Sequence, residues 1–139
     1  DLLWDDRDSF INADRGWLAR TSYRMLFDGF LGGDSTWQKL NRKPITTPGA
    51  HNGVKNVYAS RARRANKRFP NGTVIVKSIA EPGARGLAKQ VAVMRKVQGR
   101  WQWVEYDRAG SSYGVLARGS LCSSCHMQAR ANDWVFTKR

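Results

Sequence analysis

The chain has 139 residues, 41% of them hydrophobic, and its 24 Lys and Arg against 11 Asp and Glu give a net charge of +13. A chain this long forms one domain and buries about two-thirds of its unfolded surface, and no apolar run approaches the ~20 residues of a membrane-spanning helix. No basic-then-apolar leader opens the sequence, so it reads as a processed, soluble protein.

The charge is uneven. Residues 1–34 hold seven acids and four arginines, a net −3, whereas the remainder holds four acids and twenty Lys or Arg, a net +16. Within the acidic segment, Trp17-Leu18 is followed by Tyr23, Leu26, Phe27 and Phe30 at helical spacing. That pattern predicts an amphipathic helix ending at Gly32-Gly33, and sets residues 1–35 apart from a main domain over 36–139. Pro44, Pro48, Gly49 and Gly53 mark residues 41–53 as a loop. A short strand is expected over Val54 to Ala59, and Ser60 to Arg68 reads as a basic helix with a solvated face.

Phe69-Pro70-Asn71-Gly72 is a turn, and β-branched Thr73 to Ile79 is a strand. Residues 81–86 turn again. Gln90 to Val97 alternates, Gln98-Gly99 turns tightly, and Trp101 to Tyr106 returns as the second strand of a hairpin. The stretch 109–114 is expected to lead into a helix from about Leu116 to Ala131, after which Asp133-Trp134-Val135-Phe136 closes the domain. The class is α+β: an antiparallel sheet with flanking helices.

Both cysteines fall in the word Cys122-Ser123-Ser124-Cys125-His126, the attachment sequence of a c-type haem. Thiols three positions apart share one face of a helical turn and can each add to a vinyl group of one porphyrin, while the adjacent imidazole becomes the proximal iron ligand. A zinc site would need two further Cys or His ligands at matching spacing, and the only other histidine, His51, lies far upstream. A thioredoxin-like pair would need a βαβ context. One covalent haem c is therefore expected, held between the sheet and the C-terminal helix, with Cys122, Cys125 and His126 as its attachment and metal residues. Thioether attachment takes place outside the cytoplasm, so the protein is expected to be periplasmic or otherwise exported. An exported haem protein does not meet nucleic acid. The basic body instead suits an acidic redox partner, an anionic membrane surface or the acidic segment of a neighbouring subunit.

The motif stands thirteen residues before the last residue of the sequence, and Met127 is too close to His126 to reach the opposite haem face. Any sixth ligand must then come from upstream: His51, Met94, Met25 or a lysine. Lys77 is notable among these. In Thr73-Val74-Ile75-Val76-Lys77-Ser78-Ile79 it projects on the face of Ile75 and Ile79, where an ammonium is costly to bury. Either it snorkels to solvent at a strand end, or burial lowers its pKa and makes the amine a nucleophile or ligand.

Three pieces of the sequence, taken together, resemble the cytochrome P-460 family over roughly residues 36–137. They are Phe69 through Lys77, the alternating Val91-Ala92-Val93-Met94, and the Cys-x-x-Cys-His word followed by Asp133-Trp134-Val135-Phe136-Thr137. Trp37 and the Val57-Tyr58 strand fit the same pattern. The resemblance implies a β-rich, typically dimeric fold and a lysine nitrogen joined to a haem meso carbon, a role that maps onto Lys77. It also implies an open distal iron site that oxidises hydroxylamine, whereas the related cytochromes c′-beta lack the cross-link and bind nitric oxide. Hydroxylamine-oxidising members use a distal carboxylate to move protons, and the Gln90 to Val97 strand contains no acid. Glu105, on one strand face with Trp101 and Trp103, is the candidate relay; its alternative is to pair with an arginine at the surface.

Three functions follow. One is a hydroxylamine- or nitrogen oxide-transforming enzyme with a Lys77–haem cross-link. The second is a non-catalytic nitric oxide-binding protein. The third is a six-coordinate electron carrier. The first is the reading adopted, and His51 is read as a surface histidine.

Overall fold

The computed structural model describes residues 37–85, 88–110 and 112–137. The expected N-terminal helix, and Met25 with it, lies outside the described residues. Six antiparallel strands run in chain order across one sheet: β1 (Gln38–Lys39), β2 (Val54–Ala59), β3 (Val74–Ala80), β4 (Gln90–Val97), β5 (Arg100–Ala109) and β6 (Ser112–Arg118). After β6 comes α1 (Ser120–His126), then a 3-10 turn (Met127–Asn132). The class is α+β. Among the described residues no helix is long and apolar enough to cross a membrane.

Both faces of the sheet are apolar, because β3 carries β-branched residues at odd and even positions alike and β4 sets Val91 and Val93 on one face and Met94 on the other. One face buries Val74, Val76, Val91, Val93, Val104 and Tyr106. The other buries Val57, Ala59, Ile75, Met94, Trp101 and Trp103, and on it rest Phe69 and Val135. Val135 is 3% exposed, a burial that contributes about 1.5–3 kcal/mol for a residue of its size and fastens the end of the chain to this face. β4 and β5 meet at Gln98-Gly99, whose φ values of 48° and 77° match the primed turns that fit strand twist.

Two expectations are corrected. Residues 60–68 form no helix. Their arginines donate to carbonyls instead: Arg61 to Asn71, and Arg63 to Lys67, Asn132 and Thr137. The Arg63 guanidinium also lies 4.3 Å from the centre of the Phe69 ring, so it clamps the C-terminal segment rather than facing solvent. The helix expected from Leu116 also starts later, because Ser112–Arg118 pairs with β5 as a strand, bulged between Glu105 and Tyr106. Gly119, at φ 53°, then turns the chain into α1.

The 41–53 segment is a loop as expected, tied to β2 by a backbone bridge between Ile45 and Lys55 and by Asn41, whose Oδ1 accepts from the Val57 N–H at 2.7 Å. Its end needs glycine. A Cβ on Gly53, at φ 126°, would stand 2.5 Å from the Ala80 carbonyl oxygen, a backbone contact that cannot give way.

Candidate functional site

Strand register sets the site. Val57, Lys77, Ala92, Glu105 and Ala117 are successive cross-strand partners on β2 to β6 and so lie in one row on one face. The next row on that face runs Ala59, Ile75, Met94, Trp103. All of these except Ala59 floor a cavity of about 520 Å³, which α1 and the C-terminal segment wall with Cys122, Cys125, His126 and Phe136. Lys77 and Glu105, chosen from separate parts of the sequence, thus share one row with only Ala92 between them, about two strand spacings or ~10 Å apart.

Cys122 and Cys125 are both free thiols one helical turn apart, Cys122 half-buried and Cys125 exposed. Burial raises the Cys122 thiol pKa and Glu105 raises it further, while Lys77 opposes them. The His126 ring lies between Trp103, with centroids 4.5 Å apart, and Phe136, at 5.0 Å. Its Nδ1 donates to the Trp134 carbonyl at 2.8 Å, which leaves Nε2 with its lone pair free for a metal. Burial drives the His126 pKa down to about 4, against the raising effect of that backbone bond, so the imidazole is neutral at ordinary pH.

The Trp134 carbonyl reaches His126 because Asp133 and Trp134 both take left-handed backbone, φ 55° and 65°, turning the chain back on itself. Asp133 fixes that bend. Its buried carboxylate accepts from Lys96 Nζ at 2.7 and 2.9 Å, from the Phe69 N–H at 2.8 Å and from Trp101 Nε1 at 3.4 Å. Sequence reasoning used Asp133 only as part of a pattern. Its role rests on partners 32 to 64 positions away.

Lys77 lies on the apolar floor, partly buried, and the described residues give it no hydrogen bond or ion pair. Burial lowers its pKa, with Glu105 acting the other way. Among the described residues Glu105 pairs with no arginine. It meets His51 instead, Oε1 to Nδ1 at 2.9 Å, with the two side chains 12% and 19% exposed. His51 is therefore a cavity residue rather than a surface histidine. Its loop is held by Lys55, whose ammonium donates to the carbonyls of Thr47, His51 and Gly53 at 2.8 to 3.1 Å. Met94 lines the cavity and is 5% exposed, whereas Met127 is 58% exposed at the surface.

Among the described residues no group of three or more His, Cys, Asp and Glu side chains converges to hold a bare metal ion. The two thiols and the neutral His126 imidazole stand together on α1 beside an apolar cavity, a set that fits a porphyrin anchored at its edge and ligated from that side, while His51, the second imidazole on the cavity, is engaged by Glu105. Comparison with curated proteins and with solved structures gives no match. The sequence profile of the family described as Cytochrome P460 matches residues 34–137, a span that takes in the whole sheet, the Cys-x-x-Cys-His helix and the strap after it. The chain belongs to the cytochrome P460 family of haem cytochromes.

Proposed function

We propose that the protein is a mono-haem c-type cytochrome with an open distal site, that it oxidises hydroxylamine or transforms a related nitrogen oxide, and that Lys77 is joined to the porphyrin edge. The observation that carries this reading is the convergence of Lys77, Glu105, Cys122, Cys125 and His126 on one cavity. Cys122 and Cys125 hold the haem by thioethers and His126 Nε2 is its proximal ligand. The bound haem supplies the redox centre for a small nitrogenous substrate. Trp103 and Phe136 set the plane of the His126 ring, and the Trp134 carbonyl fixes its tautomer.

Oxidising hydroxylamine removes N–H and O–H protons, which need an acceptor within reach. Glu105 is the one carboxylate lining the cavity among the described residues and takes that part. Lys77 supplies an amine whose burial favours the neutral form. Were a porphyrin held by Cys122, Cys125 and His126, the Lys77 amine would stand beside its edge at high effective concentration. Joining the two removes one hydrogen from each, so two protons and two electrons pass to an oxidant of the peroxide class. An exported location, where thioethers form, belongs to the same reading, as do an acidic redox partner and a homodimer.

Protease digestion with mass spectrometry tests it. The expected product is a haem joined to two peptides, one with Cys122 and Cys125 and one with Lys77, together with a broad, red-shifted Soret band. Unmodified Lys77 peptide from fully haem-loaded protein would reject the cross-link and favour a nitric oxide-binding cytochrome c′-beta-like protein. Sharp paired visible bands would favour a six-coordinate carrier. Extraction of the haem by acid–acetone would overturn covalent attachment itself.

A further inference from the structure

A proton taken up by Glu105 sits on a carboxylate that is only 12% exposed and needs a way out to solvent. We infer that His51 is that way: it positions Glu105 and passes protons between its carboxylate and solvent. The inference rests on the haem reading and on Glu105 as the proton acceptor, and it adds a residue that neither motif nor strand pattern singles out.

Three observations carry it. First, His51 Nδ1 stands 2.9 Å from Glu105 Oε1, within proton-transfer reach. Second, His51 bridges inside and outside: it lines the cavity, yet its chain neighbours Ala50 and Asn52 are exposed. Third, its position is built rather than incidental. All three N–H groups of the buried Lys55 ammonium are used on loop carbonyls, one of them that of His51 itself, and Gly53 permits the close approach of the loop to β3. The residue is fixed through its backbone by Lys55 and through its ring by Glu105.

The transfer balances. A proton taken up by Glu105 moves from Oε1 to Nδ1 as Nε2 releases its own proton to water. The carboxylate is restored and the imidazole stays neutral, with its hydrogen shifted from Nε2 to Nδ1; once the ring turns away from the carboxylate, exchange with water returns the hydrogen to Nε2 and resets it. The other titratable groups on this cavity are Lys55 from β2, Lys77 from β3, and Cys122, Cys125 and His126 from α1. None of them stands between the pair.

The test uses ferric holoprotein and cyanide, which must shed a proton as it binds iron and so reports the relay without any assumption about the natural substrate. His51→Leu and Glu105→Gln are each expected to slow cyanide association by at least tenfold, toward the ~10²-fold of general base catalysis. The double variant should be no slower than either alone, because the two act as a unit. Added imidazole should restore the rate of His51→Gly, and Glu81→Gln, a surface acid paired with Lys89, should leave it unchanged. An unchanged rate in His51→Leu beside a slowed Glu105→Gln would overturn the relay and spare the carboxylate's role. Unchanged rates in both would overturn the relay and that role together. Should His51→Leu misfold, His51→Gln and the imidazole rescue decide by the same criteria.

Discussion

Lys96 and Lys77 project from neighbouring strands onto the same face of one sheet, and their surroundings differ completely. Lys96, on β4, is 4% exposed, donates twice to Asp133 and stands 5.4 Å from the Trp101 ring centre. Lys77, on β3, sits over the cavity with no hydrogen bond or ion pair among the described residues. Lys55, on β2, is a third case, satisfied by carbonyls alone. A buried ammonium with a carboxylate is part of the framework. One left without a partner is disfavoured as a cation and becomes available as an amine. The difference separates a structural end of the face, which steadies the bend beside His126, from a middle that holds an ammonium without a partner among the described residues.

The largest effect expected from breaking this contrast is at Asp133. Asp133→Ala leaves Lys96 buried and unpaired and should cost about 3–5 kcal/mol, read as a shift in denaturant midpoint. A cost below about 1 kcal/mol would remove Asp133 from the framework. Lys77→Met should do the opposite. It exchanges a disfavoured ammonium for an apolar chain of similar length, and in protein whose haem is not cross-linked stability should stay within about 1 kcal/mol of wild type or rise.

The sign with pH follows from the lowered Lys77 pKa. Below its ordinary 10.5 the unfolded chain binds this proton more readily than the folded one, so wild type gains stability as pH rises toward 10. Lys77→Met lacks that gain. Paired unfolding curves at pH 7 and 9.5 check it, and parallel behaviour would place Lys77 in a solvated site.

The framework end has its own titration. Because burial holds the pKa of the metal-free His126 imidazole at about 4, protons should compete with iron for it only at or below that pH. An acid titration of the visible spectrum should show the proximal bond intact at pH 5, and loss with a midpoint above pH 6 would contradict the burial. The smallest effect concerns neither lysine but the net charge of +13. Electron transfer with an acidic redox protein should slow several-fold as ionic strength rises toward 0.1 M, where the Debye length falls to about 10 Å. A flat dependence would mean the charge does not steer.

Local chemistry was legible in the sequence and distant chemistry was not. Alternation gave β4 over Gln90 to Val97 with its true bounds, and Gln98-Gly99 marked the turn after it. Lys77 stood out because it breaks an apolar run. Cys122 to His126 is a contiguous word, readable without a fold. By contrast, β6 was missed because Gly114, Val115 and Leu116 are exposed along an edge and show no alternation. Residues 60–68 looked helical because no rule of spacing foretells that Arg63 will find carbonyls 69 and 74 positions away. His51 was read as a surface residue for the same reason, since its partner is 54 positions distant.

The chain-order meander of β1 to β6 bears on how the molecule is assembled. Each strand pairs only with its neighbours in sequence, so the sheet closes short loops and can form early. The bonds that dock the last segment span far more chain, 64 positions from Phe69 to Asp133 and 69 and 74 from Arg63, and contacts of that span are expected to close after the local ones. Between these two events stands α1, which buries no residue of its own. Its two thiols stand on a short helix at the junction of the local and the distant contacts. On the haem c reading, that order of closure would leave a window for a porphyrin to be placed and bonded before the strap carrying Trp134 closes behind the His126 ring.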